Sequence, residues 1–282
     1  MSLYTDTFYS SELSELLSER ETITKLLRVE AALAMAQAEA GVIPEVAAKI
    51  ISDCCIIDVI DPVSLKKEIV LGGNVAIPLV KQLTKAVKNR DFEASKYIHL
   101  GATSQDIIDT ATVLTIKEYV VWLEEKLIVL EGALVRLTKT HLKTLMMGRT
   151  LLQHAKPLTF GLKTAGWLES ISRSKDRISD LKQRLLCIQL GGAVGGGNDN
   201  ITTDVQLKFA KNLDLHLSFP WQSQRDSLVE FASFLGILSG SLGKIAKDIS
   251  LLMQTEIGEV FEGAGEGKGG SSTMPHKRNP VG

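Results

Sequence analysis

The stretch V-L-T-I-K-E-Y-V-V-W-L-E-E-K-L-I-V-L-E-G-A-L-V-R-L, Val113 to Leu137, decides the fold. Its apolar residues recur at Val113, Ile116, Val120, Leu123, Leu127, Leu130, Leu134 and Leu137, in steps of three and four, which is the period of one helix face. A second row runs Leu228, Phe231, Leu235, Leu238, Leu242, Ile245, Ile249, Leu252. Between them Ile171, Ile178, Leu181, Leu185 and Ile188 form a weaker row, with Ser174 in one slot. Such rows outlast the usual globular helix of three or four turns. They predict helices of about 40 Å, packed nearly antiparallel at a shallow left-handed crossing.

Outward from these rows the grain changes. Ser18 and Glu21 match a capping box that opens an Ala-rich helix, which Gly41 can close. Shorter helices broken at Pro44, Pro62, Gly72-Gly73 and Pro78 follow. No stretch alternates convincingly at period two. The expectation is an all-α chain, with a small-helix N-terminal domain over 1–110 and a long-helix bundle over 111–282.

Composition agrees. Of 282 residues, 44% are apolar but only 5% aromatic, which favours aliphatic helices over sheets. With 32 basic against 33 acidic residues, no overall field recruits nucleic acid or an anionic membrane. Cys54, Cys55 and Cys187 have neither disulfide nor metal-ligand spacing and read as small core fillers. The start lacks a basic and then apolar leader, and no uncharged apolar run approaches the ~18 residues of a membrane span. A cytoplasmic protein is expected.

Long apolar rows alone specify bundle core, and a non-catalytic helical scaffold would show them too. Function has to come from what interrupts them. The first interruption is H-L-G-A-T-S-Q-D, His99 to Asp106, just before the first long helix. Ser104 and Asp106 are good N-caps, yet Thr103, Ser104 and Gln105 also aim donors and helix amides at one point, which suits a carboxylate. The second is G-R-T-L-L-Q-H-A-K-P, Gly148 to Pro157, whose Arg149, Thr150, Gln153, His154 and Lys156 are dense in donors for an inter-helix turn. The third is the glycine-rich run that ends in S-S-T-M-P-H-K-R-N-P. Ser271, Lys277 and Asn279 there offer a hydroxyl, a cation and a neutral donor, the groups needed to bind a carboxylate and move a proton beside it.

The G-S-S-T-M-P-H-K-R-N-P run resembles the signature of the fumarase/aspartase superfamily. The other two interruptions are similar to that superfamily's remaining active-site regions, in the expected order. H-L-G-A-T-S-Q-D-I-I-D-T-A, W-Q-S-Q-R-D (Trp221 to Asp226) and Q-T-E-I-G-E-V (Gln254 to Val260) resemble its cycloisomerase branch more than its adenylosuccinate-cleaving branch. The lyases carry histidine directly after Gly-Arg-Thr; this chain has Leu151. An amine or hydroxide leaving group needs a general acid. A carboxylate, whose conjugate acid has a pKa of about 4, does not.

The resemblance implies an intramolecular addition of a substrate carboxylate to a conjugated diene, on a small di- or tricarboxylate. Ser271, Lys277 and His154 are the implied catalytic residues. His99, Thr103, Ser104, Gln105, Arg149, Thr150, Gln153, Gln224, Arg225, Ser272, Met274 and Asn279 are implied substrate contacts, with Arg149 and Arg278 also open to structural ion pairs. No metal or organic cofactor, nucleic acid or membrane is implied. A homotetramer with sites shared between subunits is. Members of the superfamily continue past the signature, finishing the bundle and adding a small helical domain. The 282-residue chain by itself is therefore expected to be helical but essentially inactive.

Overall fold

The computed structural model describes residues 10–263 together with Thr273, Met274 and Asn279. The first helices are α1 (Ser11–Leu16), α2 (Glu19–Glu39), α3 (Glu45–Cys54), α4 (Pro62–Gly72) and α5 (Ala76–Lys88). The long α6 (Ser104–Thr140) leads into strands β1 (Leu145–Thr150) and β2 (Gln153–Thr159). Then come α7 (Phe160–Leu185), α8 (Thr203–Leu213) and α9 (Asp226–Leu252). Among the described residues the fold is all-α apart from one β1–β2 hairpin. At 1.5 Å per residue α6 spans roughly 55 Å, and α7 and α9 about 40 Å each.

Two compact units emerge, one from residues up to 123 with 179–229, the other from 124–178 with the residues from 230 on. The division falls within α6, α7 and α9.

In the first unit α2 packs against α3 and α8. Ser18 Oγ accepts the Glu21 amide at 3.2 Å, as a capping serine should. The far end of α2 closes with Gly41 N–H on Ala38 O and Val42 N–H on Gln37 O, both at 2.8 Å. Pro44 and Pro62 sit at helix starts, but Pro78 lies inside the first turn of α5, where a missing N–H costs nothing. The break there is at Gly72-Gly73. Leu26, Leu27, Leu33, Ile51, Leu79, Leu83, Ile107, Leu114 and Phe209 are almost wholly buried. Most polar groups inside this core are partnered, Gln37 Oε1 and Asp109 Oδ2 being the exceptions among the described residues. Lys25 meets Glu21 at 3.2 Å and Glu118 at 2.9 Å, and Gln37 Nε2 donates to Leu100 O at 2.8 Å and Asn200 O at 3.0 Å. Cys54 is buried at the end of α3 and Cys55 follows it, both free thiols whose pKa values burial pushes up.

In the second unit the buried apolar residues among those described are Leu127 and Leu134 of α6, Trp167, Ile171 and Ile178 of α7, and Phe231, Phe234, Leu238, Ile245 and Leu252 of α9. Ser174 turns its hydroxyl back onto Ser170 O at 2.9 Å, which explains a serine in an apolar row. Trp167 Nε1 donates to Asp248 at 2.9 Å and Lys163 pairs with it at 3.2 Å. Burial opposes charge on Asp248, but bonds from Lys244, Trp167 and Lys163 outweigh it and hold the carboxyl below its usual range. Only 22% of the most apolar window of α9 is buried, and by length and composition this helix is long and apolar enough to cross a membrane.

Candidate functional site

Asp106 organises the first region. It is wholly buried, and its Oδ2 accepts the Thr103 amide at 3.0 Å and the Gly192 amide at 2.9 Å. Oδ1 takes the Gly191 amide and Gln189 Nε2, both at 3.0 Å. Asp106 therefore reaches back over the start of α6, in the manner of a capping box, and fastens the Gly191-Gly192 turn to it. Gln189 is itself fully used: Trp221 N–H donates to its Oε1 at 2.6 Å and its Nε2 also reaches Gln222 Oε1 at 2.8 Å. With Asp106 committed to the scaffold, Thr103 and Ser104 remain, half-buried, at the positive end of α6. Their hydroxyls have no hydrogen-bond partner among the described residues.

Two of the other expected contacts in this unit are tied up. Gln105 Nε2 donates to Asp109 Oδ1 at 2.7 Å, and Arg225 pairs with the same oxygen at 2.8 Å while lying over the Trp221 ring at 5.5 Å. Asp109 Oδ2 is buried without a partner among the described residues. Gln224 is exposed; its neighbour Gln222 is the glutamine that joins the network.

His99 stands on a strained backbone, φ +57°, unusual for a residue with a side chain. Gly101 follows at φ +75°, and a Cβ there would lie 2.6 Å from Asn198 Oδ1. So the loop turns tightly against Asn198, whose Nδ2 donates to Gly101 O at 2.9 Å. His99 Nδ1 lies 2.7 Å from Glu30 Oε1, with the Glu30 side chain 1% exposed. Burial works against an imidazolium here, yet the Glu30 bond and the charges of Glu30 and Asp106 prevail and raise the His99 pKa. Sequence reading missed Glu30, Asp109, Gln189 and Gln222. Asp109 and Gln222 stand inside the family-like motifs without being singled out, while Glu30 and Gln189 are buried polar residues outside every motif.

The second region lies in the second unit and is a hairpin, where the sequence suggested a donor-rich inter-helix turn. β1 and β2 pair antiparallel, with Arg149 opposite His154 and Thr150 opposite Gln153. A bulge falls between Met147 and Arg149. Gly148 is needed there, because a Cβ would meet Lys156 O at 2.6 Å. The two-residue turn is Leu151-Leu152, with φ +48° and +62°. Such turns normally take Asn-Gly. Leu151 is 95% exposed.

Arg149 is bidentate on Glu259, at 2.9 and 3.1 Å, with a further bond to Met147 O at 3.2 Å. The Arg149 bond lowers the Glu259 pKa, and the charge of His154 adds to the effect. Thr150, Gln153 and His154 are exposed on the hairpin. Beside it is a cleft of about 460 Å³ lined by Met147, Arg149, Leu152, Leu162, Lys163 and Leu251. Met274 is 45% exposed and Asn279 half-buried. Ser271, Ser272, Lys277 and Arg278 lie outside the described residues. Among the described residues no cluster of His, Cys, Asp and Glu could hold a metal ion.

A family model described as lyase matches residues 4–282. Over 277 residues the chain is 47% identical to a protein of Pseudomonas aeruginosa named 3-carboxy-cis,cis-muconate cycloisomerase, covering 97% of this chain and 60% of that protein. A protein of Acinetobacter baylyi with the same name is 45% identical, with 99% and 63% covered. The crystal structure of the 3-carboxy-cis,cis-muconate lactonizing enzyme from Pseudomonas putida superposes with a TM-score of 0.94 at 46% identity, again over 99% of this chain and 63% of that one. The chain thus spans about three fifths of the length of these relatives.

Proposed function

The chain belongs to the lyase family of the fumarase/aspartase superfamily, and on that premise we propose that it acts as a 3-carboxy-cis,cis-muconate cycloisomerase in aromatic catabolism. The observation that carries this reading is 47% identity, over 97% of the chain, to a protein of that name. It is reinforced by Leu151 in the slot where the amine-releasing lyases carry histidine.

In the proposed reaction one carboxylate oxygen of the substrate adds to the diene and forms the C–O bond of a lactone. The displaced electron pair moves to the carbon beside a second carboxylate, giving an aci-carboxylate, and a proton delivered to that carbon completes carboxymuconolactone. Ser271 handles the proton. Lys277 and Asn279 neutralise the carboxylate whose charge grows, which is the electrostatic core of such catalysis. Thr103 and Ser104, with open hydroxyls at a helix start, bind a further carboxylate, and Gln153 and His154 make contacts of their own with the substrate. His99, Gln105, Thr150, Ser272 and Met274 shape the pocket. The commitments of Arg149 to Glu259 and of Arg225 to Asp109 support supporting roles for both arginines. No general acid is needed at Leu151, because the group that adds is a carboxylate.

The protein is read as a cytoplasmic homotetramer. Its exposed α9 face is the physical motive, since an apolar helix surface of that size calls for a cover. The test of the reaction is the ultraviolet loss of the conjugated diene on adding 3-carboxymuconate to protein expressed from the complete reading frame. Adenylosuccinate should release no fumarate. The reverse pair of results would move the assignment to the purine-nucleotide branch.

A further inference from the structure

We propose that Glu30, on α2, is a positioning residue that keeps the His99 ring as an imidazolium and leaves its Nε2–H as a charged donor for a carboxylate beside the start of α6. The carboxylate rests on the reaction proposed above; the Glu30–His99 arrangement does not.

Three observations combine. Glu30 is 2% exposed inside an Ala-rich helix, and a carboxylate buried so deeply needs a partner. The partner, 69 residues away, is His99 Nδ1 at 2.7 Å. That bond occupies one ring nitrogen, and Nε2 makes no hydrogen bond among the described residues. Finally, His99 is held at φ +57°, a strain that persists only where the surroundings over-determine it, and such strain clusters at functional sites.

The charged and titratable groups around the ring agree on its charge. Glu30 from α2 and Asp106 from α6 both favour the cation. Cys55, near Glu30 at the end of α3, stays a neutral thiol, because burial first and the Glu30 charge second push its pKa up. A cation held by a buried carboxylate costs little reorganisation when an anion arrives.

The test is a long-range proton–nitrogen spectrum of the imidazoles in the ¹⁵N-labelled chain, with His99 identified among the five histidines by His99→Gln. Both ring nitrogens of His99 should be protonated at pH 7, with a midpoint above the ordinary value of about 6.5. Glu30→Gln should lower that midpoint by about one unit or more and leave the other histidines unmoved. A neutral His99 at pH 7 overturns the proposal, and so does an unchanged midpoint in the variant. If Glu30→Gln does not fold, the protonation state in the unaltered chain decides alone. Tricarballylate, a saturated tricarboxylate that cannot lactonise, probes the anion. It should shift the Nε2–H signal below the midpoint and not above it. Indifference at both pH values overturns the donor role. Because none of these readouts uses turnover, failure of the muconate assay would leave them intact.

Discussion

Arg149 clasps Glu259 with both terminal nitrogens, at 2.9 and 3.1 Å, and so joins the hairpin to the segment that follows α9. Planar two-point pairing is what arginine does and lysine cannot. Arg149→Lys should therefore behave like Arg149→Ala, and a double-mutant cycle with Glu259→Ala should give a coupling of about 1 kcal/mol, the scale of a partly exposed pair. The Glu259 pKa is depressed in the folded state. The coupling should thus be present above its unfolded value and vanish as pH falls through the lower folded one. Denaturant melts at two pH values check both statements.

Asp106 should be more sensitive. Asp106→Asn keeps the shape but turns an amide donor toward some of the four N–H groups that the carboxylate accepts. A loss of roughly 2–4 kcal/mol is expected, with faster hydrogen exchange at Gly191 and Gly192 as its local signature. Unchanged exchange there would show that the fastening is not made.

The His99–Glu30 pair gives the opposite pH dependence. The folded His99 pKa lies above the unfolded one, so its contribution to stability is complete below the unfolded value and is lost as pH rises through the folded value. In Glu30→Gln this part of the stability profile should flatten, which a series of melts between pH 5 and 9 would register, a window set by the ordinary histidine value of about 6.5.

Two leucines in left-handed conformation are costly, at roughly 1–2 kcal/mol each. Replacing them together, Leu151→Asn with Leu152→Gly, should raise the melting temperature of the chain. Leu151→His should not increase turnover of the muconate substrate. A lower melting temperature in the Asn-Gly variant would mean that the leucines make contacts that outweigh their strain.

For the proposed reaction, Ser271→Ala should lower kcat by about 10²–10⁴, the range of one proton-transfer group, with the far-ultraviolet circular dichroism unchanged. Near-normal turnover would assign the proton to another residue.

The long helices were legible because Val113, Val120, Leu127 and Leu134 repeat a period that only a helix satisfies, and all four are buried. The hairpin was not legible, for reasons visible in its residues. A bulge in β2, where Ala155 and Lys156 together face Gly148, interrupts the alternation, and the turn is made by leucines where glycine and asparagine would have announced it. Glu30 was hidden differently: a glutamate in a helix normally faces water, and nothing nearby in the chain names its partner. The motifs singled out His99, Thr103, Ser104 and Arg149 and left Arg149 open to an ion pair, but they did not disclose that Gln105 and Arg225 have protein partners.

Gln37 carries a consequence for how the protein is made. Its side-chain amide Nε2 donates to carbonyls at Leu100 and Asn200, the second 163 residues further along. At ribosomal speeds of about 5–20 residues per second, that carbonyl emerges roughly ten to thirty seconds after α2 does. Meanwhile α2 exposes the apolar face that α8 will cover. The nascent chain must therefore hold a sticky, half-covered helix through the synthesis of α6, the hairpin and α7, which makes this interval the point at which a chaperone has most to protect.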